Sequence, residues 1–232
     1  VVDVGGGGGG AVGGGGAVVV RKGQRRRDRV ETPSIDLLNA MRKIVAIPAR
    51  LWLGADTLPD EALFADLFQQ LSVQPSLASM WRTQPRGVLA TTTFFTLYPR
   101  RAFPSSAESF LLDHYAHVAA HDAIADGTEM LLKPDARPML YLPLIVSEHL
   151  EDVELALEKC QALAKDAADK KLKDAPALSR WADVAMRHAL VLRRFGRFPR
   201  RNAPLGREST ELEQRYLESL QEVAFPQSLL EP

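Results

Sequence analysis

The sequence has little of several features that mark common protein classes. Its 232 residues include one cysteine, Cys160, which excludes an internal disulfide framework and a cysteine-rich zinc site. No apolar run approaches the roughly 20 residues that a membrane-spanning helix needs. The formal net charge is zero, which argues against a strongly basic nucleic-acid binder and an acidic tail protein. What remains is the composition of an ordinary globular protein, with 46% hydrophobic and 25% charged residues.

The neutral total is an average of two unlike parts. Residues 1–30 hold six basic and two acidic side chains, a balance of +4, whereas the remaining residues hold 23 basic and 27 acidic ones, a balance of −4. Ten of the sixteen glycines lie between Gly5 and Gly16. Such a tract has high backbone entropy and no side chains to pack. We therefore predict a disordered leader, residues 1–33, followed by a single domain, residues 34–232.

The arginines between Arg21 and Arg29 allow three interpretations of this leader. It is a solvated arm, part of an organelle transit peptide, or a segment that contacts nucleic acid or a membrane surface. No aromatic residue lies among these arginines to stack on bases, so we expect no nucleic-acid partner. We expect a cytoplasmic protein, or an organellar one if the arginines belong to a transit peptide. Because the chain begins with Val1 rather than methionine, we also expect a fragment or a partial reading frame.

From Ser34 onward, apolar residues recur at helical spacing, which predicts about eight helices and no credible strand. Residues 86–97 are rich in β-branched side chains, but we interpret them as a helix because no partner strand is available. Short loops between the helices predict antiparallel helical hairpins and an all-α fold. The clearest apolar stripe recurs at steps of three and four residues and consists of Leu178, Trp181, Ala185, His188, Leu192 and Phe195.

Local signals predict where several helices begin and end. Ser106 is predicted to open a long helix, and Gly196 to end the helix that carries the apolar stripe. Pro138 and Pro143 predict a short extended or single-turn link between them. Thr210 begins a capping-box signature, with a glutamate three residues later, for the last helix.

The densest chemical feature is the arginine turn, residues 193–207, between the last two predicted helices. Guanidinium groups close to a helix N-terminus favour an anion, because both donate hydrogen bonds to negative charge. The pattern therefore indicates either a ligand or partner site, or a structural turn whose arginines pair with carboxylates of neighbouring helices. Its arginines are Arg193, Arg194, Arg197, Arg200, Arg201 and Arg207.

Histidines supply the other candidate chemistry. His114, His117 and His121 recur at helical spacing, and the last two lie one turn apart, as a metal pair requires. No glutamate motif accompanies them, so we interpret them as the boundary of an amphipathic helix and assign no metal or other cofactor. His188 lies in an apolar stripe, where a hydrogen-bonded structural role is usual. A carboxylate such as Glu148 beside it would instead raise the histidine pKa and suit acid–base chemistry.

The arginine turn also carries a resemblance to a known family. The letters RRFGRFPRRNAPLGREST, residues 193–210, closely resemble the signature of the bacterial family named domain of unknown function 924. The full signature runs from His188 to Glu213, and only its second histidine is missing, replaced by Arg200. Three weaker blocks follow the family order, so the resemblance extends over about 45–220. These blocks are Trp52 with Gly54, residues 94–103 and residues 141–154.

The resemblance implies a fold more than an activity. It implies an all-helical, tetratricopeptide-like fold, and by analogy a concave surface that binds peptides. Polar family positions are replaced here, mostly by apolar residues, which implies a remodelled pocket because the remaining polar groups lose partners. The replaced positions are Thr96, Leu97, Arg101, Pro104, Val146 and Val153. The retained polar residues are Arg100, Glu148, His188, Arg197, Asn202, Arg207 and Glu208.

Three hypotheses for function remain open at the level of sequence. The first is a non-catalytic module that uses the arginine turn, with Arg100, Arg197, Asn202, Arg207 and Glu208, to bind a protein segment or a small anion. The second is an enzyme for an anionic substrate, with Glu148 and His188 as its acid–base pair. The third is a degenerate family member whose function has lapsed.

Overall fold

The computed structural model describes residues 35–54 and 56–222, so the predicted disordered leader lies outside the described residues. The described residues form α-helices joined by turns and short 3₁₀ segments, and they contain no β-strand, which confirms the predicted all-α class. No helix among them is both long and apolar enough to cross a membrane. The helices are α1 (Leu37–Ala46), α2 (Ala49–Leu53), α3 (Glu61–Val73), α4 (Pro85–Ala102), α5 (Asp113–Ala125), α6 (Arg137–Ile145), α7 (Leu150–Asp169), α8 (Ala175–Phe195) and α9 (Glu211–Glu222). The 3₁₀ segments are Pro75–Thr83, Ala107–Phe110, Thr128–Leu131 and Pro199–Arg201.

Two pairs of consecutive helices, α4 with α5 and α7 with α8, pack antiparallel, as the sequence predicts for helical hairpins. Arg82, just before α4, forms an ion pair with Asp122 near the end of α5. Arg193 near the end of α8 pairs with Glu154 near the start of α7, with Nη2 and Oε1 2.7 Å apart. Each pair joins the start of one helix to the end of its neighbour, which fixes the antiparallel direction of both hairpins.

Two groups of buried side chains form the core. The first lies mainly among α1–α4 and contains the fully buried rings of Trp52, Phe64 and Phe94. The second lies mainly among α5–α8, includes the predicted core residue Cys160, and ends at Phe198. Because Phe198 belongs to the second core, the arginine turn that carries it is held against the packed helices.

The two prolines predicted to bracket a link instead lie in α6, so that prediction is wrong. Pro138 occupies the first helical turn, where a missing backbone N–H removes no helical hydrogen bond. Pro143 lies inside the helix, and every residue from Pro138 to Ile145 is buried. Burial of this apolar segment outweighs the cost of an interior proline.

The helix predicted to open at Ser106 begins later. A 3₁₀ segment, Ala107–Phe110, comes first, and α5 starts at Asp113. The carbonyl of Ser109 accepts a hydrogen bond from Arg100 Nη1 at 3.4 Å, and the Ser109 hydroxyl donates to a backbone carbonyl. These side-chain contacts compete with continuous helical hydrogen bonding and delay the start of α5.

Gly87 in α4 lies directly against the backbone of the preceding 3₁₀ segment. A Cβ added there would lie 1.7 Å from the carbonyl oxygen of Trp81 in the preceding 3₁₀ segment. A glycine-to-alanine change in a helix interior usually stabilises, but here it must push two backbones apart. We expect Gly87→Ala to lower the free energy of unfolding by about 1–3 kcal/mol, measured by urea denaturation. An unchanged or raised stability would contradict this close contact.

Candidate functional site

The arginine turn is positioned by the end of α8 and the start of α9. Gly196 ends α8 in the left-handed region, with φ of 71°, a conformation that glycine adopts without steric cost. Its N–H donates to the carbonyl of Leu192 at 2.7 Å. At the other end, the Thr210 N–H donates to Glu213 Oε2 at 2.7 Å and the Glu213 N–H to Thr210 Oγ1 at 3.3 Å. This reciprocal pair confirms the predicted capping box.

Arg207 fixes the turn to the loop before α7 through a two-point ion pair with Glu148. Nη1 donates to Oε2 at 2.7 Å, and Nη2 donates to Oε1 at 2.9 Å. The N–H of Phe198 adds a third donor, 2.7 Å from Glu148 Oε1. Desolvation raises the pKa of Glu148, but the hydrogen bonds from Arg207 and Phe198 outweigh it, so the pKa is lowered overall. Glu148 is therefore held as a carboxylate whose oxygens are already bonded.

Arg197 makes a second two-point pair, with Glu213 of α9. Its Nε and Nη2 donate to Oε1 and Oε2 at 2.7 and 2.8 Å, and Nη2 also donates to the carbonyl of Glu208 at 2.9 Å. The Glu213 side chain is only 3% exposed. Arg197 thus joins the turn to the N-terminus of α9, while the side chain of Glu208 is exposed.

The Arg197–Glu213 pair predicts a loss of stability in acid. The hydrogen bonds from Arg197, with help from Thr210, lower the pKa of Glu213 to about 2. When the pKa of a carboxylate is lower in the folded state than in the unfolded state, its ionisation stabilises the fold. This stabilisation is complete above the unfolded pKa of about 4.3 and is lost as pH falls toward the folded pKa of about 2. We expect Glu213→Gln to be less stable than wild type at pH 7, with a difference in unfolding midpoint that shrinks between about pH 5 and pH 2.

This pH comparison isolates Glu213 from other carboxylates. Glu148 and Asp152 also have lowered pKa values, so the wild type loses stability in acid for several reasons. Those contributions are shared by wild type and variant and cancel in the difference. A difference that stays constant from pH 7 to about pH 2.5 would contradict the assignment.

Arg100 of α4 lies near the turn but is paired with α5. Its Nη1 and Nη2 donate to Asp113 Oδ1 and Oδ2 at 2.6 and 2.7 Å, and Nη1 also donates to the carbonyl of Thr96 at 2.6 Å. Its guanidinium carbon lies 5.2 Å from the ring centroid of Phe110. Arg100 is therefore a buried, neutralised cation that packs on Phe110.

Arg201 differs from these three arginines, because no described carboxylate lies within ion-pair distance of it. Its guanidinium carbon lies 4.8 Å from the ring centroids of both Phe110 and Phe198. Among the described residues, its hydrogen-bond partner is the backbone carbonyl of Val146. Burial, followed by the positive charge of Arg100, lowers the pKa of Arg201 to about 10. At neutral pH it is thus a charged guanidinium with two aromatic contacts and no paired anion in the described part of the chain.

Three buried side-chain atoms in the described region lack a hydrogen-bond partner, and all three lie in segments that carry the family resemblance. They are Thr96 Oγ1, Asn202 Oδ1 and Arg207 Nε. Asn202 is 1% exposed, and its amide nitrogen donates to Ser209 Oγ at 3.0 Å. Buried polar atoms are nearly always paired, so this concentration marks the turn and the adjoining part of α4 as unusual.

His188 lies beneath Phe198 and is bonded within its own helix. Its ring packs edge-on against Phe198, with centroids 5.3 Å apart. Nδ1 lies 2.9 Å from the carbonyl of Val184, so Nδ1 carries the proton and donates it. Burial lowers the pKa of His188 to about 4. Glu148 and His188 both contact Phe198, one through its N–H and the other through its ring, but they are not hydrogen-bonded to each other.

The structure therefore distributes the predicted site residues over three groups. Arg207 pairs with Glu148, and its backbone N–H donates to the carbonyl of Asn202. His188 packs on Phe198, whose N–H donates to Glu148. Arg100 adjoins this group through Phe110, which Arg201 also contacts. Arg197 is paired with Glu213 of α9, and Glu208 is exposed to solvent.

Arg201, Phe110 and Phe198 are not among the individual binding residues predicted from the sequence, although Arg201 lies in the predicted arginine turn. The sequence does carry one signal for Arg201. It stands at the arginine that follows the second histidine of the family signature, the histidine that Arg200 replaces here. Phe110 offered no signal, since it lies about 90 residues from Arg201 in the sequence and outside the matched blocks. Only the packing of the 3₁₀ segment Ala107–Phe110 brings it to the turn.

A separate cavity of about 580 Å³ lies between the 3₁₀ segment Pro75–Thr83 and α5. Arg82 and Asp122, which line it, form an ion pair with each other. It contains none of the residues of the arginine turn, and Arg82, the cation of its lining, is already paired with Asp122. The arginine turn is therefore the better candidate site.

Comparison with known proteins places the fold and the turn in context. A solved protein of unknown function from Agrobacterium tumefaciens is similar, with 25% identity and a TM-score of 0.63 over 79% of this chain and 99% of that chain. No curated protein matches the chain. The family described as "Bacterial protein of unknown function (DUF924)" matches residues 45–221. The chain, with its arginine turn inside that match, therefore belongs to the DUF924 family.

Proposed function

We propose that the protein is a binding module for a small anionic ligand, and that Arg201 supplies the charge that holds it. The observation that carries this proposal is the state of the Arg201 guanidinium, which contacts the rings of Phe110 and Phe198 and has no described carboxylate within ion-pair distance. A partly buried charge without a counterion is destabilising. A bound anion supplies that counterion.

The neighbouring charges support an anion rather than a cation. Burial lowers the pKa of Arg201 most, Arg100 and Arg207 lower it further, and Asp113 and Glu148 raise it. Both carboxylates already accept two-point hydrogen bonds, Asp113 from Arg100 and Glu148 from Arg207. They are therefore oriented toward their own arginines, and Arg201 is left with unused donors.

The surroundings of Arg201 also support a small ligand. Arg201 is partly exposed, so solvent reaches part of the residue, and its guanidinium carbon lies 4.8 Å from the ring centroids of Phe110 and Phe198. The donors of a planar guanidinium lie along its edge, and a phosphate-like or carboxylate group can bind there through two hydrogen bonds. A long protein segment is not needed to satisfy it.

The geometry favours binding over acid–base catalysis. Glu148 accepts three hydrogen bonds and has a lowered pKa, so it is a weak base with committed oxygens. His188 is 2% exposed and has a pKa of about 4, far from the near-neutral value that suits general catalysis. The pair supports the structure beneath the turn instead.

The proposal is tested by titrating inorganic phosphate against wild type and Arg201→Gln while following thermal unfolding. Phosphate at 100 times its dissociation constant should stabilise wild type by about 2.7 kcal/mol, a rise of several degrees for a chain of this size. Arg201→Gln should lose this response. Without phosphate, Arg201→Met should be at least as stable as wild type, because a partly buried charge without a counterion is replaced by a hydrophobic side chain.

Arg194→Gln is the matched control, because Arg194 is an exposed arginine of the same turn that also lies over an aromatic ring, at 5.0 Å. It should keep the full phosphate response. Potassium chloride at equal ionic strength controls for general screening. An equal response in wild type and Arg201→Gln, or a response lost only in Arg194→Gln, would overturn the assignment of Arg201.

A further inference from the structure

A second polar cluster lies between α5 and α7 and plays no part in the proposed anion site. His117 and His121 of α5 both direct Nε2 at the carboxylate of Asp152 in the first turn of α7. The distances are 2.7 Å from His117 to Oδ2 and 2.8 Å from His121 to Oδ1. The two imidazole rings are 4.5 Å apart at their centroids, and one donor atom from each of the three residues lies within 4.8 Å of the others.

We propose that His117, His121 and Asp152 bind one divalent zinc-class ion. Two imidazole nitrogens and one carboxylate oxygen are a donor set that zinc accepts, with three protein ligands and an open fourth position for water. The histidines are spaced four residues apart, so one helical face presents both. The carboxylate comes from a different helix, and the ion would therefore join α5 to α7.

The burial of the three side chains suits a site that an ion can reach. The Asp152 side chain is 10% exposed, and those of His117 and His121 are 30% and 39% exposed. The carboxylate is thus held in place by the protein, while the histidines border solvent. Ligand atoms around tetrahedral zinc lie roughly 3.3 Å apart, given bonds of about 2.0–2.1 Å. Side-chain rotations that bring the three donor atoms, which now lie within 4.8 Å of one another, to this spacing would admit the ion.

Ser147 supplies the outer support that metal carboxylates usually have. Its hydroxyl donates to Asp152 Oδ2 at 2.7 Å and accepts from the His149 N–H at 3.1 Å. This holds the carboxylate in the orientation that faces both histidines. Outer hydrogen bonds of this kind commonly contribute 10–100-fold to metal affinity.

The competing explanation is that the two histidines and Asp152 form only a hydrogen-bonded bridge between the helices. The two explanations require different protonation of the histidine rings. Without an ion, each Nε2 must carry a proton to donate to Asp152. With an ion, both Nε2 atoms bind through their lone pairs and the protons lie on Nδ1. The two explanations therefore differ in their response to zinc and not only in stability.

The test is calorimetric titration of zinc into the full chain, prepared without a histidine tag and stripped with a chelator. Wild type should bind one zinc ion per chain, and its unfolding temperature should rise. Asp152→Asn and His121→Ala should each weaken binding by at least tenfold, and Ser147→Ala by about tenfold. Cobalt provides a second readout, because the absorption bands of tetrahedral cobalt should appear in wild type and be lost in His121→Ala.

His114→Ala is the matched control, because His114 is an exposed histidine of the same helix that is not bonded to Asp152. It should bind zinc as wild type does. Circular dichroism of each metal-free variant shows whether it is folded, and Asp152→Asn keeps nearly the same size and shape if His121→Ala unfolds. Absence of a one-to-one zinc complex in folded wild type, or equal zinc affinity in wild type and Asp152→Asn, would overturn the proposal. Neither result depends on phosphate, so this test and that of the anion site fail independently.

Discussion

Arg207→Met should lower the free energy of unfolding by about 2–4 kcal/mol, because it leaves Glu148 partly buried and unpaired. The two side chains are 25% and 24% exposed, so the expected loss lies toward the lower end of the range for fully buried pairs. The Phe198 N–H would remain as a donor to Glu148. The pKa of Glu148 should rise, because the larger of its lowering hydrogen bonds is gone.

Urea denaturation at pH 7 measures this loss, and two further variants make it specific. Arg207→Met combined with Glu148→Gln should recover part of the stability, since no unpaired charge remains. Arg193→Met breaks an exposed two-point pair with Glu154, whose side chains are 47% and 44% exposed, and should lose less than about 1 kcal/mol. An Arg207→Met loss no larger than that of Arg193→Met would contradict the account of the turn.

Phe198→Ala should lower the free energy of unfolding by about 3–5 kcal/mol. The side chain is 1% exposed, belongs to the second core, and packs on both His188 and the Arg201 guanidinium. Its removal leaves a cavity and admits water to His188. The pKa of His188, now about 4 because of burial, should move up toward the ordinary value of about 6.5.

Two measurements separate these effects of Phe198. Chemical denaturation gives the stability loss, with Phe195→Ala as the control because that partly exposed ring packs on Tyr216 at 5.0 Å and should lose less. A nuclear magnetic resonance titration of His188 gives its pKa in the folded variant. A stability loss without any rise in the His188 pKa would show that Phe198 does not shield the histidine.

Much of the fold was predictable because its signals are local. The stripe that includes Ala185, His188 and Leu192 is buried in α8 as its spacing predicts, and Gly196 ends that helix. The segment with β-branched residues, 86–97, lies in α4. The proline-rich α6 was not predictable, because only tertiary burial shows that its apolar side chains outweigh Pro143.

The site was less predictable because it is assembled from distant segments. The arginine turn was identified, but spacing could not reveal which arginines already have carboxylate partners. Asp152 lies 31 residues from His121, so no local pattern connects it with the histidines. The replaced family positions Leu97, Val146 and Val153 are buried and apolar, and the replaced position Thr96 has a buried hydroxyl without a hydrogen-bond partner.

The most direct test of the anion site is a nuclear magnetic resonance titration that observes the arginine side-chain N–H signals while inorganic phosphate is added. The Arg201 signal, assigned by its loss in Arg201→Lys, should shift with a saturable dependence on phosphate, whereas the Arg194 signal should not. The paired Arg197 should also remain unchanged, because its donors are bonded to Glu213. An Arg201 signal that stays fixed while phosphate shifts Arg194 or no arginine at all would contradict the central claim that Arg201 binds the anion.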